Sequence, residues 1–355
     1  MQVSRLAVPV AALWALLASP RPALAQQSER HTIAGDNIAI YNLVGVMRVE
    51  AGSGSDVVVE LTRGGADAGR LRVEQGAIGG RQTLRVIYPD DVIVYGDRHS
   101  GSTTLEVRED GTFGDSQGRR WSGGRRVRIS GSGRGLEVHA DLRVAIPAGK
   151  RVALYLAVGQ AFVSNVNAEL RVDVAAADVT ADHTKGSLDV DTGSGDVRVS
   201  DAEGDITLDT GSGNVIVSGV RGGAVHLDTG SGNVSAERIT ADALTVDTGS
   251  GDVTASRIQS GDVTIDTGSG SVRLDLLSDM GSLHVDTGSG DVTIRIPADF
   301  GAHVDIETGS GGIELRGVTL RTTRLQSDHL VGEIGDGRGD VKISTGSGGV
   351  TLQRN

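Results

Sequence analysis

The sequence predicts an all-β chain, a single-stranded parallel β-solenoid (β-helix) of about 19-residue coils preceded by a signal peptide. Three observations predict it. The triplet Asp-Thr-Gly begins at Asp191, Asp209, Asp228, Asp247, Asp266 and Asp286, with relatives at Glu307 ("ETGSGGI") and Ser344 ("STGSGGV"). The steps are 18, 19, 19, 19, 20 and 21 residues, then 37, about two periods. So regular a step marks coils stacked one on the last. Within a coil the apolar period is two, and Gly is abundant at 53 residues against 6 Pro. Alternation bounded by Gly-rich corners is a strand signal, and no helical period competes with it.

The coil reads as follows. Leu244, Val246 and Thr248 share one face of a strand, Thr245 and Asp247 the other. After the Gly-Ser-Gly corner, Val253 and Ala255 point inward, Asp252 and Thr254 outward. A further apolar position at Val220, Ile239, Ile258 and Leu277, each 19 residues apart, is expected to fill a third side. One coil cannot bury its few aliphatic side chains alone. Stacked coils bury them as columns, with backbones pairing at about 4.8 Å. About ten regular coils over 151–355 would span about 50 Å.

The chain opens differently. Arg5 precedes the apolar run "LAVPVAALWALLA", and Ala23–Ala25 is a small-x-small cleavage site, so residues 1–25 read as a secretory signal peptide. Residues 26–150 read as irregular coils capping the array. A long excursion is expected at 96–135, which is poor in core residues and rich in Gly, Ser and charge. The segment 318–340 reads as one degenerate coil. The chain has no cysteine, hence no lipid-anchor or thiolate chemistry. No second apolar stretch reaches membrane-spanning length. Periplasmic, cell-surface or secreted localisation is expected.

The formal charge is −12, and −14 once Arg5 and Arg21 leave with the signal. Such an acidic balance argues against a nucleic-acid partner. A surface polymer or a protein is the expected partner, and the oligomeric state stays open.

The phrases "NIAIYNLVGVMRVEAGSGSDVVVEL", "DLRVAIPAGKRVALYLAVGQAFVSNV" and "VDTGSGDVT" resemble the bacterial putative adhesin family of exported β-strand-repeat proteins, over about residues 31–353. The resemblance implies a β-solenoid, an extracytoplasmic location and an adhesion role. It supplies no catalytic residues. The coils "VAAADV" and "LAVGQAF" depart from its Gly-Ser-Gly-Asp pattern.

Four chemistries compete for the repeat. Asp-Thr-Gly also activates water in aspartic proteases, but those need two facing carboxylates on separate lobes, and a 19-residue step leaves no room for a lobe. Calcium is the second. One acid column runs Asp191, Asp209, Asp228, Asp247, Asp266, Asp286 and Glu307, and another runs Asp196, Asn214, Asn233, Asp252, Ser271, Asp291 and Gly312. Stacked carboxylates leave room for hard cations. However, the toxin-type calcium nonapeptide places Asp two residues after Gly, whereas Asp196 follows Gly195 directly. The preferred alternative is that each Asp caps its own turn by accepting a backbone N–H. Third, β-solenoids host polysaccharide-active enzymes, yet every coil here carries the same acids, and Phe300 is the only aromatic residue after position 162. The fourth reading is a plain structural corner, in which Gly249 takes up a φ that a β-branched residue cannot adopt. The eight His are too dispersed for shared metal ligation.

One stretch is singular. "GRRWSGGRRVRISGSGR" carries Arg119, Arg120, Arg125, Arg126, Arg128 and Arg134 around Trp121. It could dock an anionic surface polymer, with Trp121 stacking on a sugar. It equally reads as a solvated hairpin offsetting the acidic body.

Overall fold

The structure is a computed structural model and describes residues 28–96, 101–114 and 124–354. The expected signal peptide, Arg119, Arg120 and Trp121 lie outside the described residues.

The repeat folds as a β-solenoid. Strands Val215–Thr229, Val234–Thr248 and Val253–Thr267 pair in parallel without a register slip, so Val225, Leu244 and Val263 stack, as do Leu227, Val246 and Ile265. Alternation sends these residues inward, where all six are buried. Above them the same columns continue through Leu188–Ser194 and Glu169–Asp182. Each coil adds only a few aliphatic side chains to a core that is continuous along the axis.

The third side follows the expected spacing for Val220, Ile239 and Ile258, which stack and are buried. Leu277 does not. The register shifts between Ala255 and Ile258, so Leu276 pairs with Ile258 and enters the core, leaving Leu277 53% exposed. Counting nineteen residues selects the wrong member of the Leu276–Leu277 pair because a bulge removes one step.

The N-terminal region is only partly coil-like. Strand Asn37–Ala51 pairs in parallel with Arg151–Ser164, Tyr41 opposite Tyr155, and so forms a coil of the stack. Around it, antiparallel pairs replace the expected irregular coils. Ser28–Ile33 and His139–Ile146 both flank Val57–Gly64, and Arg72–Ile78 pairs with Arg81–Ile87. A small four-stranded sheet holds Ser102–Arg108 against Gly124–Ser130, with Val107, Val127 and Ile129 buried. In the connection that leads to this sheet, the buried Tyr88 hydroxyl donates to Asn42 Oδ1 (2.8 Å), while Asn42 Nδ2 donates to Ala140 O (2.7 Å).

At the other end the order of coils differs from the order of sequence. Strand Gly339–Thr345 pairs in parallel with Ser282–Thr287 on one side and with Ala302–Thr308 on the other. Val350–Arg354 likewise sits between Val292–Ile296 and Ile313–Arg316. The last coil in sequence is therefore intercalated above the one before it, between 282–296 and 302–316. The 37-residue step from Glu307 to Ser344 is not two periods along the axis. The expected degenerate coil over 318–340 is instead an antiparallel flap, in which His329–Ile334 pairs with both Ala302–Thr308 and Arg321–Leu325.

Candidate functional site

The Asp-Thr-Gly-Ser-Gly motif is a corner, and each of its residues has a separable task. Its Thr is buried at Thr210, Thr229, Thr248, Thr267 and Thr287. The Thr248 hydroxyl donates to Gly232 O (3.1 Å), and Thr267 to Gly251 O (3.1 Å), each a corner carbonyl of the preceding coil. A hydroxyl in an aliphatic core costs stability unless it is bonded, and here the neighbouring coil supplies the acceptor. The glycines let successive corners touch. A Cβ built on Gly249 would lie 2.5 Å from Gly230 O, so close backbone approach, and not the expected positive φ, requires glycine there.

The first acid column is assembled as expected from Asp191 to Asp286, since each Asp is the register partner of the next. It then departs from sequence order. Ser344 stands between Asp286 and Glu307, and its Oγ donates to Asp286 Oδ1 (2.7 Å). At the upper end Arg171 reaches Asp189 (2.9 Å), Asp191 (3.8 Å) and Asp173 (3.9 Å), a guanidinium spanning successive coils.

The Asp of this column do not cap their own turns. Among the described residues Asp209, Asp228, Asp247 and Asp266 accept no backbone N–H. Capping falls to the second column and acts between coils. Asp196 Oδ1 accepts from Asn214 N (2.9 Å), Asn214 Oδ1 from Asn233 N (3.1 Å), Asn233 Oδ1 from Asp252 N (2.9 Å) and Asp252 Oδ1 from Ser271 N (2.8 Å). Only an acceptor is needed there, which is why Asn and Asp interchange.

Partial burial raises the Asp228 carboxyl above the usual aspartate range, and the neighbouring Asp247 raises it further, against the opposing pull of His226. Asp209 and Asp266 are raised for the same reasons, burial first and ladder neighbours second. A raised folded-state pKa gives stability that is complete below the unfolded pKa and lost as pH climbs through the folded one. Asp228→Asn should therefore stabilise the fold at pH 7, by up to about 1 kcal/mol after solvent screening. The gain should vanish below the normal aspartate range and shrink in high salt. Thermal melts of both proteins across pH 3.5–7.5 check this. A gain that is flat with pH would contradict it.

Among the described residues one group could hold a metal ion, Asp182, His183 and Asp201, whose ligand atoms lie within 4.8 Å of one another. The bond that His183 Nδ1–H donates to Asp182 Oδ2 (2.7 Å), with that residue's charge and Asp201's, raises the His183 pKa, which favours a protonated imidazolium over a ligand.

The basic stretch is not gathered into one site. Arg125 lies opposite in face to Arg126 and Arg128. It binds Asp91 (2.6 Å) and donates to the Tyr88 carbonyl. Arg128 Nε donates to Ser102 Oγ (2.9 Å), and Arg126 stands across from Glu106.

A cavity that the sequence did not suggest runs along the third side. It encloses about 620 Å³ between a corner column and the polar residues beyond the core. The corner column is Asn165, His183, Asp201, Gly219, Arg238 and Arg257, all with φ between +50° and +69°. Asn, His, Asp and Gly tolerate that region, whereas Arg does so rarely. Thus the signal lay in two arginines at turn positions one coil apart. A second trough, of about 730 Å³, lies where the cap meets the array, but its carboxylates are engaged, Asp141 by Val46 N (2.9 Å) and Asp178 by Asp196 N (2.9 Å).

The Toastrack DUF4097 family matches residues 124–353, which include the Asp-Thr-Gly repeats. The chain belongs to this family. No curated protein matches the chain. The Toastrack chain is also similar to two solved structures. One is a putative cell adhesion protein from Clostridium sporogenes, at 8% identity, covering 93% of this chain and 99% of that one with a TM-score of 0.22. The other is a putative adhesin from Bacteroides fragilis, at 10% identity, covering 93% and 98% with a TM-score of 0.38. Among the described residues no helix is long and apolar enough to cross a membrane.

Proposed function

We propose that this Toastrack protein is a non-enzymatic, exported interaction protein, adhesin-like, acting at the cell surface or in the periplasm. Residues 26–150 serve as its cap and 151–355 as its repeat array. The observation that carries the reading is the repetition of outward side chains in register, coil upon coil, with Asp191 to Asp286 as the clearest instance. A surface of this kind offers many equal weak contacts to an extended partner, and avidity multiplies them. Catalysis asks for the reverse, a few groups whose environments set them apart from their neighbours.

The test is a screen of the purified protein against glycans and cell-surface polymers, scoring retention and reducing-end release together. Retention without release is expected. Release that disappears with a single Asp→Asn change would make the protein a polysaccharide-active enzyme and overturn the reading.

A further inference from the structure

We infer that the third-side trough between Arg221, Arg238 and Arg257 binds an acidic saccharide chain through its carboxylates. The inference rests on the proposed role as an interaction protein and names the ligand class and the place.

Arg238 and Arg257 are successive members of the corner column, and Arg221 belongs to the parallel column beyond the core, where it pairs in register with Thr240. All three are exposed. Their carboxylate supply is short. Glu237 serves Arg238 (3.0 Å) and, more loosely, Arg257 (3.9 Å), and Arg221 has no ion pair among the described residues. The nearby Glu203 is taken by Lys185 (2.9 Å). This end of the trough is therefore a local excess of guanidinium on a chain whose formal net charge is −12. At physiological salt the acidic body is screened beyond about 8 Å, so an anion entering the trough meets chiefly the arginines.

Backbone conformation gives an independent reason. The corner takes φ +55° at Arg238 and +58° at Arg257, where the coil above has Gly219. A residue tolerant of that region would make the corner more stable, so two consecutive arginines are not explained by folding. Strain of this sort is retained where the side chain has a task.

The lining selects among anions. Arg238 and Arg257 recur at the coil spacing of about 4.8 Å, close to the advance of one sugar in an extended chain. Guanidinium grips a carboxylate through two parallel N–H donors. Between and above them Thr240 and Asp201 offer partners for hydroxyl groups, and Leu277, pushed out of the core by the bulge, supplies an apolar surface for a ring face. Repeated carboxylates, hydroxyls and apolar ring faces together describe a uronate chain.

The experiment is calorimetric titration of the full chain with a hexa-uronate, its methyl ester and a neutral hexasaccharide. Wild type should bind the free acid only, and binding should weaken with salt. Arg221→Gln with Arg257→Gln should weaken it at least about tenfold, the loss of two charge-assisted contacts. Arg238→Gly should weaken binding while raising the melting temperature, a combination that a purely structural arginine does not give. No binding of the acid by wild type, equal binding of ester and acid, or undiminished binding by the double variant would each overturn the inference. Glycan retention that survives in the double variant leaves the wider interaction reading standing, whereas loss of all retention by wild type removes both.

Discussion

Gly251→Ala is expected to destabilise the array by about 3 kcal/mol or more, the upper range for forcing volume into a packed site. A Cβ on Gly251 would overlap the carbonyl oxygen of Gly232 in the coil above. That oxygen accepts the buried Thr248 hydroxyl at 3.1 Å, so any shift that relieves the clash also unpairs a hydroxyl in the core. The two costs add, and neither can be relieved by a side-chain rotation because both partners are backbone or fully enclosed. Ser250, one residue earlier, is exposed, and Ser250→Ala should stay within about 0.5 kcal/mol. Chemical denaturation of the two variants beside wild type makes the comparison. Equal midpoints for Gly251→Ala and wild type would show that the corners have slack the geometry denies.

The corner was legible in the sequence, though its physical reason was not. The spacing located the residues, and period-two alternation assigned Thr248 inward and Asp247 outward, as the structure has them. What spacing cannot tell is why glycine stands at Gly249, because strained φ and close approach by another strand leave the same letter. The capping role was legible in kind but assigned to the wrong column. Asp196 and Asn214 accept N–H groups from the next coil, an arrangement that only the stack creates. Leu277 was missed because a bulge is invisible to a count of residues. The trough arginines were missed since a polar residue at a turn resembles any other solvated corner until the backbone torsion is known. Periodicity is blind above all to the order in which like coils stack. Segments 302–316 and 339–354 present the same inward pattern, so either could follow 282–296. The choice falls to the connections, where buried Phe300 ends the 282–296 coil and Gly339 N bonds Gly301 O at 2.9 Å.

Intercalation makes the last coil an internal support, and its removal should have an effect out of proportion to its length. In a solenoid each coil is stabilised by its two neighbours, so loss of a terminal coil ordinarily exposes one face and leaves the rest intact. Deleting 339–354 here removes the middle of a sandwich. Val341 separates Leu283 from Val304, Ile343 separates Val285 from Ile306, and Leu352 separates Ile294 from Leu315. Ala302–Thr308 would then keep only its antiparallel partner His329–Ile334, and Ile313–Arg316 would lose the strand it pairs with. We expect the segment 302–334 to lose essentially all protection from amide hydrogen exchange, while 206–267 keeps the wild-type pattern, since opening energies follow local packing. Direct stacking of 302–316 onto 282–296, the 21-residue step that the sequence suggests, is the competing outcome. It would bring Glu307 next to Asp286, where wild type has Ser344 donating to that carboxylate. The deletion would thus exchange a hydrogen bond for a like-charge contact on a ladder that already crowds its acids. Full protection of 302–316 in the truncated protein would show that the coil can step down regardless, and that the intercalated order is a preference of the connections alone.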